Sequence, residues 1–383
     1  MRIALVTIHR TANYGAVLQA YATQKILAKY GEVKIVNYKN SYLDHHLNLI
    51  RFDISLHGIL KFSHDLLRLP YRSIAVWKFR RFFSEFLNLT QAYSARDLFQ
   101  GKAGQFDIYI CGSDQIWNPD IVSENREIDP IFFLGFAPKN AKKISYASSI
   151  GHHHFSCEEK KVVKELLSGF SMVSTREVDG IEKLHGLVGS NRVNHVVDPT
   201  LLLTKDDWKQ SLNLSEDEVE DRYILVYSVP RTELLKQAID YVAQKTGWQV
   251  ICVDQMLFPA GKVDKHVRTA DPREFVKLFL DASFVITDSF HGTCFAVNFS
   301  KPFVSVSAGK RSNRMQSLLA QVGLSERLIS SYDELASVSV EMDWEEASKN
   351  LAESRSESLE FIEFSVLSDS PVRPNYGSGE TFA

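Results

Sequence analysis

The most chemically suggestive stretch is Asp288-Ser289-Phe290-His291-Gly292. It follows an apolar run, Phe284 to Thr287, and precedes apolar positions at helical spacing, Phe295, Ala296 and Phe299, a pattern that predicts strand, tight loop and short helix. In an open α/β sheet such a loop lies at the carboxyl edge of the strands, where ligands sit. His291 is then either a cleft residue beside a free helix N-terminus, with donors from Ser289, Gly292 and Thr293, or a core histidine or helix cap.

Four other stretches carry comparable chemistry. Asn13 and Gly15, in the loop after the first strand, offer an amide and close backbone approach, or simply a cap and turn. Gly112 to Pro119 places a carboxylate (Asp114), a hydroxyl, two amides (Gln115, Asn118) and an indole (Trp117) after a strand. Arg176, at another strand end, suits a forked contact to phosphate or carboxylate, or an ion pair with Glu177 or a neighbour. Lys310, Arg311 and Arg314, three cations in five positions, suit an anion or a solvated helix start. The run His152-His153-His154 is not read as a metal tract, because adjacent side chains diverge and no carboxylate is spaced to join them.

The elements that must hold these residues alternate strand and helix, predicting a parallel α/β architecture. A chain of 383 residues, 44% hydrophobic, exceeds one usual core, so two are expected. The strand at Ile3 to Ile8, a helix at Val17 to Lys29 and a strand at Val33 to Tyr38 open a first half that continues through strands at 106–111, 143–148, 172–175 and 193–197. A charged stretch, 205–221, divides it from a second series beginning at Tyr223. The expected domains are 1–205, with a helical insertion near 41–100; 206–345; and a C-terminal helix with a mobile tail over 346–383, the tail running from Ser368 to Ala383.

Composition narrows the classes. A net charge of -3 gives no nucleic-acid footprint. Four cysteines, far apart, support neither a disulfide framework nor a zinc spacing. The N-terminus is too soon polar for a secretory segment, and no apolar run reaches the ~18 residues of a membrane span. A soluble cytoplasmic protein is expected. Residues 59–86 set six basic residues, Lys61, Arg68, Arg72, Lys78, Arg80 and Arg81, against Asp65 and Glu85, interleaved with aromatics. That segment is read as a helix packed on its own sheet, with peripheral contact to the inner face of an anionic membrane as the second reading.

Taken together, Asn13-Tyr14-Gly15-Ala16, Gly112-Ser113-Asp114, Ser174-Thr175-Arg176-Glu177, Asp198-Pro199 and Ser289-Phe290-His291-Gly292 resemble the polysaccharide pyruvyl transferase family over roughly residues 1 to 325. The resemblance implies two Rossmann-like domains facing a cleft, similar to GT-B glycosyltransferases. It further implies phosphoenolpyruvate as donor substrate, no cofactor, a sugar acceptor that could be lipid-linked, and a place in bacterial capsule, O-antigen or exopolysaccharide assembly.

Forming a pyruvate ketal requires an acid, an anion clamp and a base. On that reading His291, as imidazolium, protonates the donor's methylene carbon. Arg176, Lys310 and Arg311, with backbone donors at Ser289 and Gly292, hold its carboxylate and phosphate. Asp114 takes the acceptor proton, with Asp288 as rival, while Asn13, Gln115 and Trp117 contact the sugar. Two other readings stand beside it: a GT-B glycosyltransferase using a nucleotide sugar, and a non-catalytic glycan-assembly protein.

Overall fold

A computed structural model describes residues 1–49, 56–188, 193–215 and 221–368; within these, the side chains of 46, 56–64, 310 and 311 lie outside the description. The tail expected to be mobile beyond residue 368 falls outside it as well.

Two six-stranded sheets form the frame. In the first, β1 (Arg2–Val6), β2 (Glu32–Ile35), β3 (Ile108–Cys111), β4 (Lys142–Ser145), β5 (Phe170–Thr175) and β6 (Val193–His195) lie in the order β2-β1-β3-β4-β5-β6. In the second, β7 (Tyr223–Tyr227), β8 (Gln249–Val253), β9 (Lys265–Val267), β10 (Phe284–Thr287), β11 (Phe303–Val306) and β12 (Leu328–Ile329) lie in the order β12-β11-β10-β7-β8-β9. Every registered pair is parallel. Runs such as Ile-Tyr-Ile-Cys in β3 and Phe-Val-Ile-Thr in β10 are buried throughout, as strands covered on both faces must be. The chain is therefore two Rossmann-like α/β domains in the GT-B arrangement, the two α/β halves as the sequence pattern predicts and the arrangement as the family resemblance implies.

Local signals set the helix starts. Asp271 closes a capping box with Glu274 and has Pro272 behind it; Ser156 with Glu159 and Thr204 with Asp207 repeat the device. The helix Leu56–Phe86 carries Pro70 within it and packs inward through Phe79 and Phe82. Four of its cations find partners: Lys78 pairs with Glu274 at 2.7 Å, Arg81 with Glu85 one turn on at 2.6 Å, and Arg68 and Arg72 donate to the carbonyls of Gln255 and Asn48. It exposes the apolar side chains Leu67, Tyr71, Ile74 and Trp77, and toward its end the charged Arg80, Arg81 and Glu85. Among the described residues no helix is long and apolar enough to cross a membrane.

The two halves share one hydrophobic core. Tyr14 of the first helix (Tyr14–Leu27) stacks on Phe275 with ring centroids 4.3 Å apart and donates to the Ala270 carbonyl at 2.9 Å. Trp208 packs against both Tyr21 and Phe295. The C-terminal helix Glu345–Leu367 returns to the first half, where Ser358 Oγ accepts from the Val197 amide at 3.0 Å.

Candidate functional site

The carboxyl ends of β3 and β5 on one side and β10 on the other meet at a cavity of about 350 Å3, lined among others by Asn13, Asp114, Gln115, Ser289, His291 and Arg314. Buried Gln19 ties the first wall together. Its amide donates to Thr7 Oγ1 at 2.8 Å and to the Ile8 carbonyl at 3.1 Å, while its Oε1 accepts from the Ser113 amide at 3.2 Å. Asp114 follows in the left-handed region, φ 67°, which an aspartate tolerates better than most residues. That turn aims its carboxylate at Arg176.

Arg176 is the hub. Its side chain is 0% exposed and meets three carboxylates: Nη2 to Asp114 at 3.2 Å, Nε to Glu177 at 3.3 Å, and Nη1 to Asp198 at 2.8 Å. Its guanidinium carbon also lies 4.6 Å from the Phe290 ring centre. Ser149 donates to Glu177, and Ser113 and Thr200 donate to Asp198. A buried arginine so fully engaged cannot also clamp a donor's phosphate, since releasing it would leave three buried carboxylates uncompensated. The expected donor-binding role of Arg176 is corrected on this ground: it orders the site's acids.

His291 sits on the short helix Phe290–Asn298, its Nε2 3.8 Å from Asp198 Oδ2 and otherwise without a hydrogen-bond partner. Gly15 makes room for the ring. A β-carbon built there would lie 2.0 Å from His291 Nδ1. Burial pushes the imidazole below its ordinary 6.5, and the Arg176 and Arg314 charges add to that, outweighing the opposite pull of Asp198 and Asp114. The ring is thus neutral near pH 7, suited to accepting a proton and not to the imidazolium acid expected. Asp114 runs the other way: burial raises its carboxyl, but Arg176, His291 and Arg314 win and hold it below 3.8. Such an ionised, paired carboxylate orients a ligand better than it removes a proton.

The N-terminus of the His291 helix is open. Ser289 is its N-cap residue, yet its side chain makes no capping hydrogen bond, so the first amides, those of Phe290, His291 and Gly292, keep their donors. Gly292 serves packing as well: a β-carbon there would fall 2.2 Å from Thr287 Oγ1, so glycine lets the helix close on β10. Beside it, the Arg314 guanidinium lies 5.2 Å from the centre of the Phe290 ring, which Arg176 also meets, and makes no hydrogen bond or ion pair among the described residues. Sequence reasoning reaches Arg314 through its cation cluster but prefers Lys310 and Arg311. Those two lie in the turn Gly309–Ser312 with side chains outside the description.

The remaining expectations divide. Asn13 caps the first helix, accepting from the Ala16 amide at 3.1 Å, and borders the cavity; Gln115 borders it too. Trp117 does not: it is 1% exposed, stacks on Phe133 at 5.1 Å and donates to the Phe132 carbonyl at 3.1 Å, so it is core and the sugar contact is withdrawn. Asp288 accepts from Ser228 Oγ and from the Val229 and Arg231 amides at 2.8 to 2.9 Å, which commits it to holding the loop after β7. The Arg176–Glu177 pair was legible as an alternative from adjacency, whereas Asp198 was legible only as a motif letter, because it meets Arg176 from 22 residues away.

Two metal questions resolve on geometry. His153 does find carboxylates, Glu159 at 3.1 Å and Asp120 at 3.6 Å, and His152 reaches the same Asp120 at 3.9 Å, so both the spacing argument and the expected divergence of these two neighbours are corrected. Cys252, Asp254 and His266 cluster at the end of β8, yet Asp254 already accepts from Arg231, His266, Cys252 and the Met256 amide. That carboxylate is saturated, and the cluster reads as a closed hydrogen-bond knot.

A family model described as "Polysaccharide pyruvyl transferase" matches residues 13–309. No curated protein matches the chain. Among solved structures, the chain is similar to Staphylococcus aureus MnaA in complex with UDP, at 10% identity, 94% of each chain covered and a TM-score of 0.50. A protein from Listeria monocytogenes described as a UDP-N-acetylglucosamine 2-epimerase gives 10%, 95% and 96%, and 0.50. The UDP-GlcNAc 2-epimerase from Neisseria meningitidis gives 12%, 97% and 95%, and 0.44. The two likenesses at a TM-score of 0.50 agree with the GT-B fold seen in the two sheets. They give a ketal-forming, phosphoenolpyruvate-dependent mechanism no support. The reading of the motifs as specifically those of a pyruvyl transferase activity, with phosphoenolpyruvate as partner, is therefore corrected: the two structures at a TM-score of 0.50 that share the fold are titled for UDP or a UDP-sugar.

Proposed function

The chain belongs to the polysaccharide pyruvyl transferase family, and from that premise we propose that it is a GT-B enzyme acting on a nucleoside-diphosphate sugar, which it opens at the anomeric carbon and passes to a hydroxyl acceptor. Family and fold do not fix the donor; the site must. The observation that carries this reading is the open helix N-terminus at Ser289 with the unpaired Arg314 beside it, facing the cavity. A departing diphosphate gathers negative charge as the anomeric C–O bond breaks, and fixed amide dipoles with a guanidinium stabilise that charge where it develops.

The acceptor hydroxyl loses its proton to neutral His291 through Nδ1, the nitrogen beside Gly15. Asp198, near Nε2, steadies the imidazolium that forms, by the logic of a base held by a carboxylate; its 3.8 Å separation is of the kind that closes on substrate binding. Asp114, Asn13 and Gln115 orient sugar hydroxyls, and Arg176 fixes both aspartates.

The test is incubation with UDP-N-acetylglucosamine and other nucleotide sugars, followed by 31P NMR, with phosphoenolpyruvate in parallel. Release of nucleoside diphosphate is expected. Phosphate release from phosphoenolpyruvate with every nucleotide sugar left intact would overturn the reading. Loss of His291 as base should cost about 10²–10⁴-fold in turnover, so a fully active His291→Asn would reject His291 as the base. Placement in the cytoplasm, at the inner face of the membrane, belongs to the same proposal. Since the cations of the Leu56–Phe86 helix are mostly engaged, contact would run through Leu67, Tyr71, Ile74 and Trp77 and be insensitive to salt. Sedimentation with liposomes that vanishes in high salt would contradict it.

A further inference from the structure

A second cavity, about 240 Å3, lies on the other side of the loop that follows β1. Residues 9–13 separate the two: His9 and Arg10 border this cavity, and Asn13 borders the main one. Its polar wall includes Arg10, Asn37, Asp44 and Arg80, and its apolar wall includes Phe83 and Leu89.

The wall has too many donors. Arg10 is held in place by Nε to Asp44 at 2.7 Å and Nη1 to Asn37 at 2.8 Å, which leaves the rest of its guanidinium uncommitted. Arg80 makes no hydrogen bond or ion pair among the described residues, whereas Arg68, Arg72, Lys78 and Arg81 of the same helix all do. Two guanidiniums therefore face one carboxylate across a small space, and a neutral sugar would leave that excess unanswered. A group bringing acceptor oxygens and a negative charge would complete it. The volume falls below the ~300–1,000 Å3 of ordinary ligand sites, so the cavity fits one ring and not a chain of them.

We propose that this cavity holds an acidic sugar residue of the acceptor, its carboxylate or phosphate on Arg10 and Arg80 and its ring face on Phe83, while the neighbouring residue of the same glycan presents its hydroxyl to His291. The inference rests on the function proposed above for its second half, since it names the acceptor class of that site. The acceptor is thus at least two sugars long and anionic one residue from the point of reaction.

Binding of glucuronate, glucose 6-phosphate and glucose, each measured by saturation-transfer NMR on wild type and on Arg80→Gln, tests it, with UDP titrated separately. Glucuronate or glucose 6-phosphate should bind at least tenfold tighter than glucose, and which of the two leads names the acid. Arg80→Gln should erase the preference while UDP binding stays within about twofold. Equal binding of all three sugars, or a preference that survives in Arg80→Gln, would overturn the proposal. Failure of UDP to bind, with the acid preference intact, would instead strike the nucleotide-sugar reading and leave the anion site standing.

Discussion

Gly15 and His291 belong to different halves of the molecule, and each dictates the other. The imidazole occupies the space where any side chain at residue 15 would begin, 2.0 Å from Nδ1. Gly15→Ala should therefore displace His291 and lower turnover by about 10²-fold or more, the scale for a misplaced catalytic group, while the far-ultraviolet dichroism stays unchanged; a fully active variant would show that the ring nitrogen is not used. Arg176 fails differently. Arg176→Met leaves three buried carboxylates without their cation and should cost about 3–5 kcal/mol of stability, read by urea denaturation. If only donor affinity fell, the anion-clamp role set aside above would be restored. The pH response follows from the same residues. Asp114 and Asp198 are held below their ordinary 3.8, and His291 below 6.5, so each contributes stability that is complete above its ordinary value and lost as pH falls through its lowered one. The protein should lose stability on acidification, first below pH 6.5 and then below 3.8, and the acid limb of kcat/KM should lie under 6.5. An acid limb above 6.5 would mean that His291 works protonated.

At the scale of elements, Gly292 shows what the sequence could carry and what it could not. The strand, loop and helix around it were readable because Phe284 to Thr287 is continuously apolar and Phe295, Ala296 and Phe299 recur at helical spacing. The reason for its glycine was not, since Thr287 approaches it only once the helix folds back on β10. The same divide runs through the site. Asp114, Arg176 and His291 announce themselves as polar residues at strand ends, but besides the adjacent Glu177 the partners of Arg176 lie 62 and 22 residues away, and no local period encodes that meeting. Trp117 misled for the complementary reason: an indole among amides and a carboxylate looks like a sugar platform, whereas Phe133 and Phe170 claim it for the core. Lys265–Val267 escaped notice as a strand because three residues with two cationic or titratable side chains make no apolar run. Gly292→Ala should push the helix from β10 and cost about 1–3 kcal/mol by overpacking, and it should lower activity as well because His291 rides on the same turn. Thermal melts with Thr287→Ala as a second change would check the cause: the double variant should recover most of the loss, and no recovery would place the strain elsewhere.

The whole molecule poses a further problem, because a cleft enzyme of two halves must keep them in register. Here the hinge region is packed and not merely linked. Tyr14 reaches from the first helix to stack on Phe275 and bond the Ala270 carbonyl, and Trp208 joins Tyr21 to Phe295. Asn298 donates to the Thr200 and Leu203 carbonyls at 2.8 and 2.9 Å, and Arg355 of the C-terminal helix donates to both Leu201 and Asn298. One hydrophobic cluster contains strands of both sheets, among them Leu5, Ile110, Leu225 and Val285. Two domains joined by a polar interface would melt separately. A core continuous across both predicts a single transition, with calorimetric and van't Hoff enthalpies in agreement. Tyr14→Ala removes a stacked ring and a buried hydrogen bond from that junction, at a cost of about 3–5 kcal/mol. It should broaden or split the transition, because the loss falls between the halves and within neither. Two resolved transitions already present in the unaltered protein would show that the halves fold independently and that the site, with Gly15 on one and His291 on the other, is assembled by substrate and not by the core.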